Sequence, residues 1–232
     1  MIELSFATPP MRPVELRLHA TKGPSTDTLG APTSLKGLLS LGVPQVRPLD
    51  SEETRADEEM RRFLKAESGK NAYHVVLLRC SFNPSSEGRI VEAVVQVDLA
   101  GSDDPRQREP IAWSLEPLRV DSHPPDAENS LKIGGDFKFI SAEFTRSVKS
   151  HSAEVLIEAH NEFSVNPYWL FRETRAEVLT GSFRLGVVTQ SPVGIPVIGA
   201  MSVSAKVRKL AIHLFPYIAA LDKSPTRSFV IV

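Results

Sequence analysis

The chain has 232 residues, of which 41% are hydrophobic and 24% are charged, and its formal net charge is -1 at pH 7. This length is enough for a full-sized core, and an all-β fold could use it as one domain. A net charge near zero creates no general field that attracts polyanions, so we expect no nucleic-acid partner.

The first 49 residues are predicted to form an N-terminal arm with short strands, and residues 50–232 a single β-sandwich-like domain. Two alternating stretches, IELSF at residues 2–6 and VELRL at residues 14–18, are predicted strands. Residues 21–50 are rich in Gly, Ser, Thr and Pro, which predicts a loop or an extended arm.

One helix is predicted, at about residues 51–67. Asp50 is a suitable N-cap residue, acidic residues follow it, and Gly69 lies just after the end. An apolar stripe should pack one helix face on the sheet. The stripe consists of Ala56, Met60, Phe63 and Leu64.

From Tyr73 onward the hydrophobic period is that of strands. YHVVLLRCSF at residues 73–82 is apolar enough to be covered on both faces, and residues 83–88 form a turn. In residues 90–99 the odd-numbered positions should face the core. Trp113 and Leu115 are expected on one side of the next strand.

Later segments alternate in the same way, which predicts seven or eight strands joined by Gly, Pro and Asp-rich turns. The predicted fold is therefore mainly β, an antiparallel sandwich or a partly closed barrel. Residues 201–208 should alternate between core and solvent. Residues 152–163 also suit a helix, which leaves two interpretations of that segment. The β-prone residues 229–232 should be paired, in their own sheet or in a partner's.

The segment NPYWLFRETR, at residues 166–175, contains one of the two tryptophans. A strand that begins after Pro167 places Trp169 with Phe171 on one face and Tyr168 with Leu170 on the other. The leading interpretation is that the Trp169 pair fills the core. The alternative is an exposed binding platform, for which the candidate residues are Tyr168, Trp169, Arg172 and Arg175.

No spacing of histidine and cysteine matches a catalytic or metal-binding motif, so no catalytic residue, metal ligand or cofactor is predicted. Distant residues could still converge, and the candidates are His74, Cys80, His123, His151 and His160. Cys80 is more typical of a small buried hydrophobic side chain. The acidic loops at residues 100–105 and 120–129 lack the spacing of a calcium loop, and no phosphate-binding loop is present.

A single cysteine excludes an intrachain disulfide, which suits a reducing compartment. The chain shows neither a secretory leader nor an apolar run long enough to cross a bilayer. We therefore expect a soluble, cytoplasmic protein without stable membrane insertion.

The leading functional hypothesis is a non-enzymatic binding, adaptor or assembly module that exchanges a strand or arm with itself or another protein. Homo-oligomerisation is its simplest form, because every copy has the same arm and edge. The first alternative is a small-ligand-binding or hydrolytic barrel with a site built from distant residues. The second is a membrane-acting structural or toxin-like component.

Overall fold

The computed structural model describes residues 2–5, 10–20, 34–49, 58–86, 88–101, 108–121, 130–133, 155–209, 218–221 and 226–231. Within these residues the fold is mainly β with one short helix and is consistent with the predicted antiparallel sandwich. The elements are β1 (Ile2–Ser5), β2 (Met11–Ala20), β3 (Ser34–Gly42), β4 (Gln45–Pro48), α1 (Glu58–Glu67), β5 (Asn71–Phe82), β6 (Gly88–Ala100), β7 (Ile111–Glu116), β8 (Arg119–Val120), β9 (Ser130–Ile133), β10 (Ile157–His160), β11 (Tyr168–Arg172), β12 (Gly181–Pro192), β13 (Ile198–Lys209), β14 (Ile218–Leu221) and β15 (Thr226–Val230).

The strands pair antiparallel throughout the described residues. Their order is β7-β12-β5-β3-β2-β14-β13-β6-β11-β10-β8, with β4 added to β5 and β15 added to β13. We call the half from β7 to β2 layer A and the half from β14 to β8 layer B. A separate two-stranded sheet joins β1 to β9.

The main core lies between the two layers. Phe171 of layer B packs its ring 5.1 Å from the ring of Phe82 and 5.4 Å from that of Phe183, both in layer A. All three side chains are buried and belong to one hydrophobic cluster with aliphatic residues of β6 and β13. These inter-layer contacts bury the apolar face of each sheet, which provides the main stabilisation of a sandwich without disulfides.

The helix α1 covers the outer face of layer A. Met60 and Leu64 of the predicted stripe are buried, and Phe63 is partly buried beside them. The ring of Phe63 stacks 5.3 Å from that of Trp113 and meets Tyr73 at 5.5 Å. The start predicted for this helix, with Asp50 and Ala56, lies outside the described residues.

Strand β5 is covered on both faces, as its continuous apolar sequence predicted. Tyr73, Val75 and Leu77 belong to the cluster under α1, whereas the alternate residues Val76 and Leu78 belong to the main core. The period of two therefore divides one strand between two hydrophobic clusters.

The prediction of a loop or extended arm at residues 21–50 is wrong for its second half. Residues 34–42 and 45–48 form β3 and β4, and both strands pair with β5. Leu38, Leu39 and Leu41 are buried in the main core. The composition of this segment predicted a loop, because Gly, Ser and Pro outnumber these leucines in it. The predicted domain division at residue 49 stays a prediction.

Two bulges change the predicted faces. In β7, Ser114 pairs with Val188 and Ala112 with Thr189, which leaves Trp113 as the extra residue. Trp113 therefore packs toward α1 while Leu115 enters the main core, so their predicted common side is wrong.

The second bulge is in β6, where Lys206 pairs with Glu92 and Val207 pairs with Ile90. Val91 is the extra residue, and Ile90 is buried in the core. The remaining odd-numbered positions from Ala93 to Leu99 face the core as predicted. The alternation predicted for residues 201–208 is confirmed: the odd-numbered residues are buried.

Residues 157–160 form the strand β10, so the helical interpretation is wrong for this part of residues 152–163. The C-terminal strand is paired within the chain. β15 pairs with the first half of β13, and Ile231 after it is buried.

Candidate functional site

The structure places the four predicted binding residues in different surroundings. Trp169 is fully buried with Phe171, which confirms the leading interpretation of this strand. Its indole Nε1 donates a hydrogen bond to the carbonyl oxygen of Pro117 at 3.0 Å. A buried indole whose donor is satisfied fills the core and presents no surface to a ligand.

Tyr168 lies on the opposite, outer face of layer B, as the period of two predicted. Its ring stacks on the imidazole of His160 at a centroid distance of 4.8 Å. The Nε2 atom of His160 lies 3.5 Å from a carboxylate oxygen of Glu158. Both rings are partly exposed, so this pair is an accessible feature of the outer face.

Arg172 belongs to a cluster of six charged residues on the same outer face. Glu92 lies 2.6 Å from Lys206 and 3.8 Å from Arg172. One row further along the strands, Glu173 accepts two hydrogen bonds from Arg89 and lies 3.6 Å from Arg208. Four cations share two carboxylates, so half of the positive charge is compensated inside the cluster.

Arg175 is exposed in the connection that follows β11. It does not share the core-facing side of Trp169, so the four residues do not form one aromatic and basic platform. Binding by Tyr168, Arg172 and Arg175 stays a prediction.

The residues considered for catalysis are not brought together in the described part of the chain. Cys80 and His74 lie on one face of β5 but six positions apart, which is roughly 20 Å at about 3.3 Å per residue. Cys80 is fully buried, and this burial raises the pKa of its thiol. Burial lowers the pKa of His74, whose Nδ1 has no hydrogen-bond partner among the described residues. His123 and His151 lie outside the described residues.

A shallow depression of about 380 Å³ lies beside the turn between β12 and β13, and it contains none of the candidate histidines or Cys80. It is lined by Lys70, Asn71, Arg108, Pro192, Val193 and Ile195. Within the described residues no group of three or more His, Cys, Asp or Glu side chains has the geometry of a metal site.

The strand β15 has one edge that pairs with no other described strand. Ile231 donates its backbone N–H to Val197 at 2.8 Å. Along a strand of an antiparallel pair, the backbone N–H and C=O groups of successive residues point alternately toward the partner strand and away from it. Since those of Ile231 point toward β13, those of Val230 and Ser228 point away from it. An edge of this kind offers hydrogen bonds to an additional strand.

Exposed apolar side chains accompany this open edge. Val230 is 68% exposed, and its cross-strand neighbour Ile198 is 50% exposed. These two neighbouring side chains form a small exposed apolar patch beside the strand edge.

Two arginines lie near the same edge. Arg227 pairs with the buried Met201, and Arg12 of β2 pairs with the buried Leu41, so each arginine shares a strand face with a buried residue. Arg12 is nevertheless exposed, and Arg227 is partly buried. Burial, and then the charge of Arg12, lower the pKa of Arg227. The described residues provide no ion pair for either guanidinium. Sequence analysis missed this pair, because only the tertiary fold brings residues 12 and 227 together.

No protein-family model matches this chain, and no curated protein matches it. Among solved structures it is similar to the Clostridium perfringens NetB toxin in the membrane inserted form, at 8% sequence identity and a TM-score of 0.34. The alignment covers 94% of this chain and 95% of the toxin chain. At this TM-score we draw no functional conclusion from the likeness. None of the helices in the described ranges has the length and apolar character that a membrane crossing needs.

Proposed function

We propose that this chain is a non-enzymatic binding or assembly module that adds a strand of a partner to the open edge of β15. The observation that carries the proposal has two parts: the backbone groups of Ser228 and Val230 that point away from β13 pair with no described strand, and the side chains of Val230 and Ile198 are exposed. In strand addition, backbone hydrogen bonds supply affinity and alternate side chains supply specificity.

A second copy of the chain is the simplest partner, because each copy then offers the same edge. The proposal includes a cytoplasmic location, since the single cysteine leaves the fold independent of disulfides. It includes no nucleic acid, since the net charge of -1 provides no general attraction for it.

The test is a proline at the open edge. Ser228→Pro removes the N–H that points away from β13 and leaves the backbone hydrogen bonds toward β13 intact. Ser228→Ala keeps that N–H and is the matched control. Native mass spectrometry should show an assembly for the wild type and for Ser228→Ala, and a lower mass for Ser228→Pro. Thermal unfolding should show that all three proteins are folded.

An assembly whose mass is unchanged by Ser228→Pro would contradict the proposal. Deleting the N-terminal residues 1–48 would not test this association cleanly, because the deletion also removes Leu38, Leu39 and Leu41 from the core. The point substitution leaves every core residue in place.

A further inference from the structure

Arg12 and Arg227, at the margin of the sandwich, form no ion pair with any residue that the structure describes. The register of β2 with β14 carries the start of β2 toward β15, and burial, together with the charge of Arg12, lowers the pKa of Arg227. No carboxylate of the described residues pairs with either arginine. Arg12 is exposed and Arg227 is partly buried, so their like charges repel each other through partly screening solvent. A carboxylate between them would reverse the sign of that interaction.

The registers place this pair at the open edge. β13 pairs with β15 through residues 198–202 and with β14 through residues 207 and 208, and β14 in turn pairs with the end of β2. The beginning of β2, with Arg12, therefore extends past β14 toward the free edge of β15. A strand added to that edge would pass beside both guanidinium groups.

The strand β1 has the chemistry that this position requires. Its sequence is IELS, in which an acidic residue stands between two apolar ones. It belongs to the two-stranded sheet with β9 rather than to the main sheet. Two strands are at most marginally stable alone, and no described strand pairs with the second edge of β1.

We propose that β1 of a second copy pairs with the open edge of β15, and that the carboxylate of its Glu3 binds Arg12 and Arg227. This pairing would give the strand order β9-β1-β15-β13, in which β9 and β1 belong to one copy and β15 and β13 to the other. No strand pair within a copy has to separate for it to form. This inference rests on the proposed function, because it names the partner strand and the charge that β15 recognises.

The experiment is a charge reversal with rescue. Glu3→Arg places a third cation beside the two arginines and should weaken association at least about tenfold in the dissociation constant. The double variant Glu3→Arg with Arg227→Glu restores an opposite-charge pair and should recover most of that loss. Glu59→Arg, on the exposed first turn of α1, makes the same change in net charge and should leave association unchanged. Native mass spectrometry over a concentration series measures all four proteins.

Three outcomes would overturn the inference. The first is a wild type that stays monomeric. The second is a Glu3→Arg protein that associates like the wild type, or whose association Arg227→Glu does not restore. The third is a Glu3→Arg protein whose melting temperature falls without a change in mass, because Glu3 would then act within its own chain. If Ser228→Pro disrupts the assembly but Glu3→Arg does not, strand addition stands and only the identity of the added strand is wrong.

Discussion

The ring of Phe229 on β15 lies over the backbone of Gly199 on β13, in the space that a Cβ atom of any other residue would occupy. The two residues face each other across the strand pair, and Phe229 packs on the main core. This contact helps to hold β15 against β13 in layer B, and the position of β15 in turn sets where its free edge and Arg227 lie.

Replacing Gly199 with Ala should loosen that attachment. A Cβ at this position would overlap the Phe229 ring, and overpacking of this kind costs about 1–3 kcal/mol. Urea unfolding measures the loss, and hydrogen exchange of the β15 amides shows whether it is local. The double variant Gly199→Ala with Phe229→Leu should recover part of the stability. Equal losses in the single and double variants would show that the ring contact is not the cause.

Trp169 should behave as a core residue and its neighbour Tyr168 as a surface residue. Trp169→Phe leaves the carbonyl of Pro117 without its buried donor and should cost about 1–3 kcal/mol of unfolding free energy. Tyr168→Phe keeps the stacked ring on the outer face and should change stability by less than about 0.5 kcal/mol. Denaturant unfolding of both variants checks this, and similar values for the two would contradict the assignment of faces.

Glu173 should contribute more stability than the other charges of its cluster. Its side chain is 14% exposed and accepts two hydrogen bonds from Arg89, whereas the side chain of Arg172 is 54% exposed. Glu173→Ala should cost about 1.5–3 kcal/mol, because it leaves the partly buried Arg89 without its partner. Arg172→Ala is the control, and its effect should stay below about 1 kcal/mol. Chemical unfolding at low and high salt distinguishes the two, and the opposite ranking would show that burial does not decide their contributions.

Glu162 should make the stability depend on pH. Burial raises the pKa of its carboxyl group above the usual 4.5, although the backbone N–H of Leu115 donates to it and opposes the shift. The folded state therefore retains the proton more readily than the unfolded chain, and the associated stability is lost as pH rises above 4.5.

Glu162→Gln keeps an acceptor for Leu115 without the charge, so it should melt higher than the wild type at pH 7. The two melting temperatures should converge as pH falls below 4.5. Melting curves from pH 4 to pH 8 test this, with Glu162→Ala as a control that lacks the acceptor at every pH. A constant difference between wild type and Glu162→Gln across this range would contradict the shifted pKa.

The sequence alone was sufficient for the fold class and for the face of most residues. Alternation in residues 201–208 and the stripe of Met60 and Leu64 are local patterns, and burial follows them because a strand or helix has one fixed period. The same period of two placed Trp169 on the core-facing side of β11 and Tyr168 on the outer side. It failed at Trp113 and Val91, because a bulge depends on the partner strand and leaves no local signal.

Tertiary structure decided which distant residues meet. The leucines of β3 enter the core although their neighbours are typical of loops, because pairing with β5 outweighs local composition. The contact of Gly199 with Phe229, the approach of Arg12 to Arg227 and the open edge of β15 all depend on strand order. Hydrophobic periodicity specifies which side of a strand is buried, but it carries no information about the strand that lies beside it.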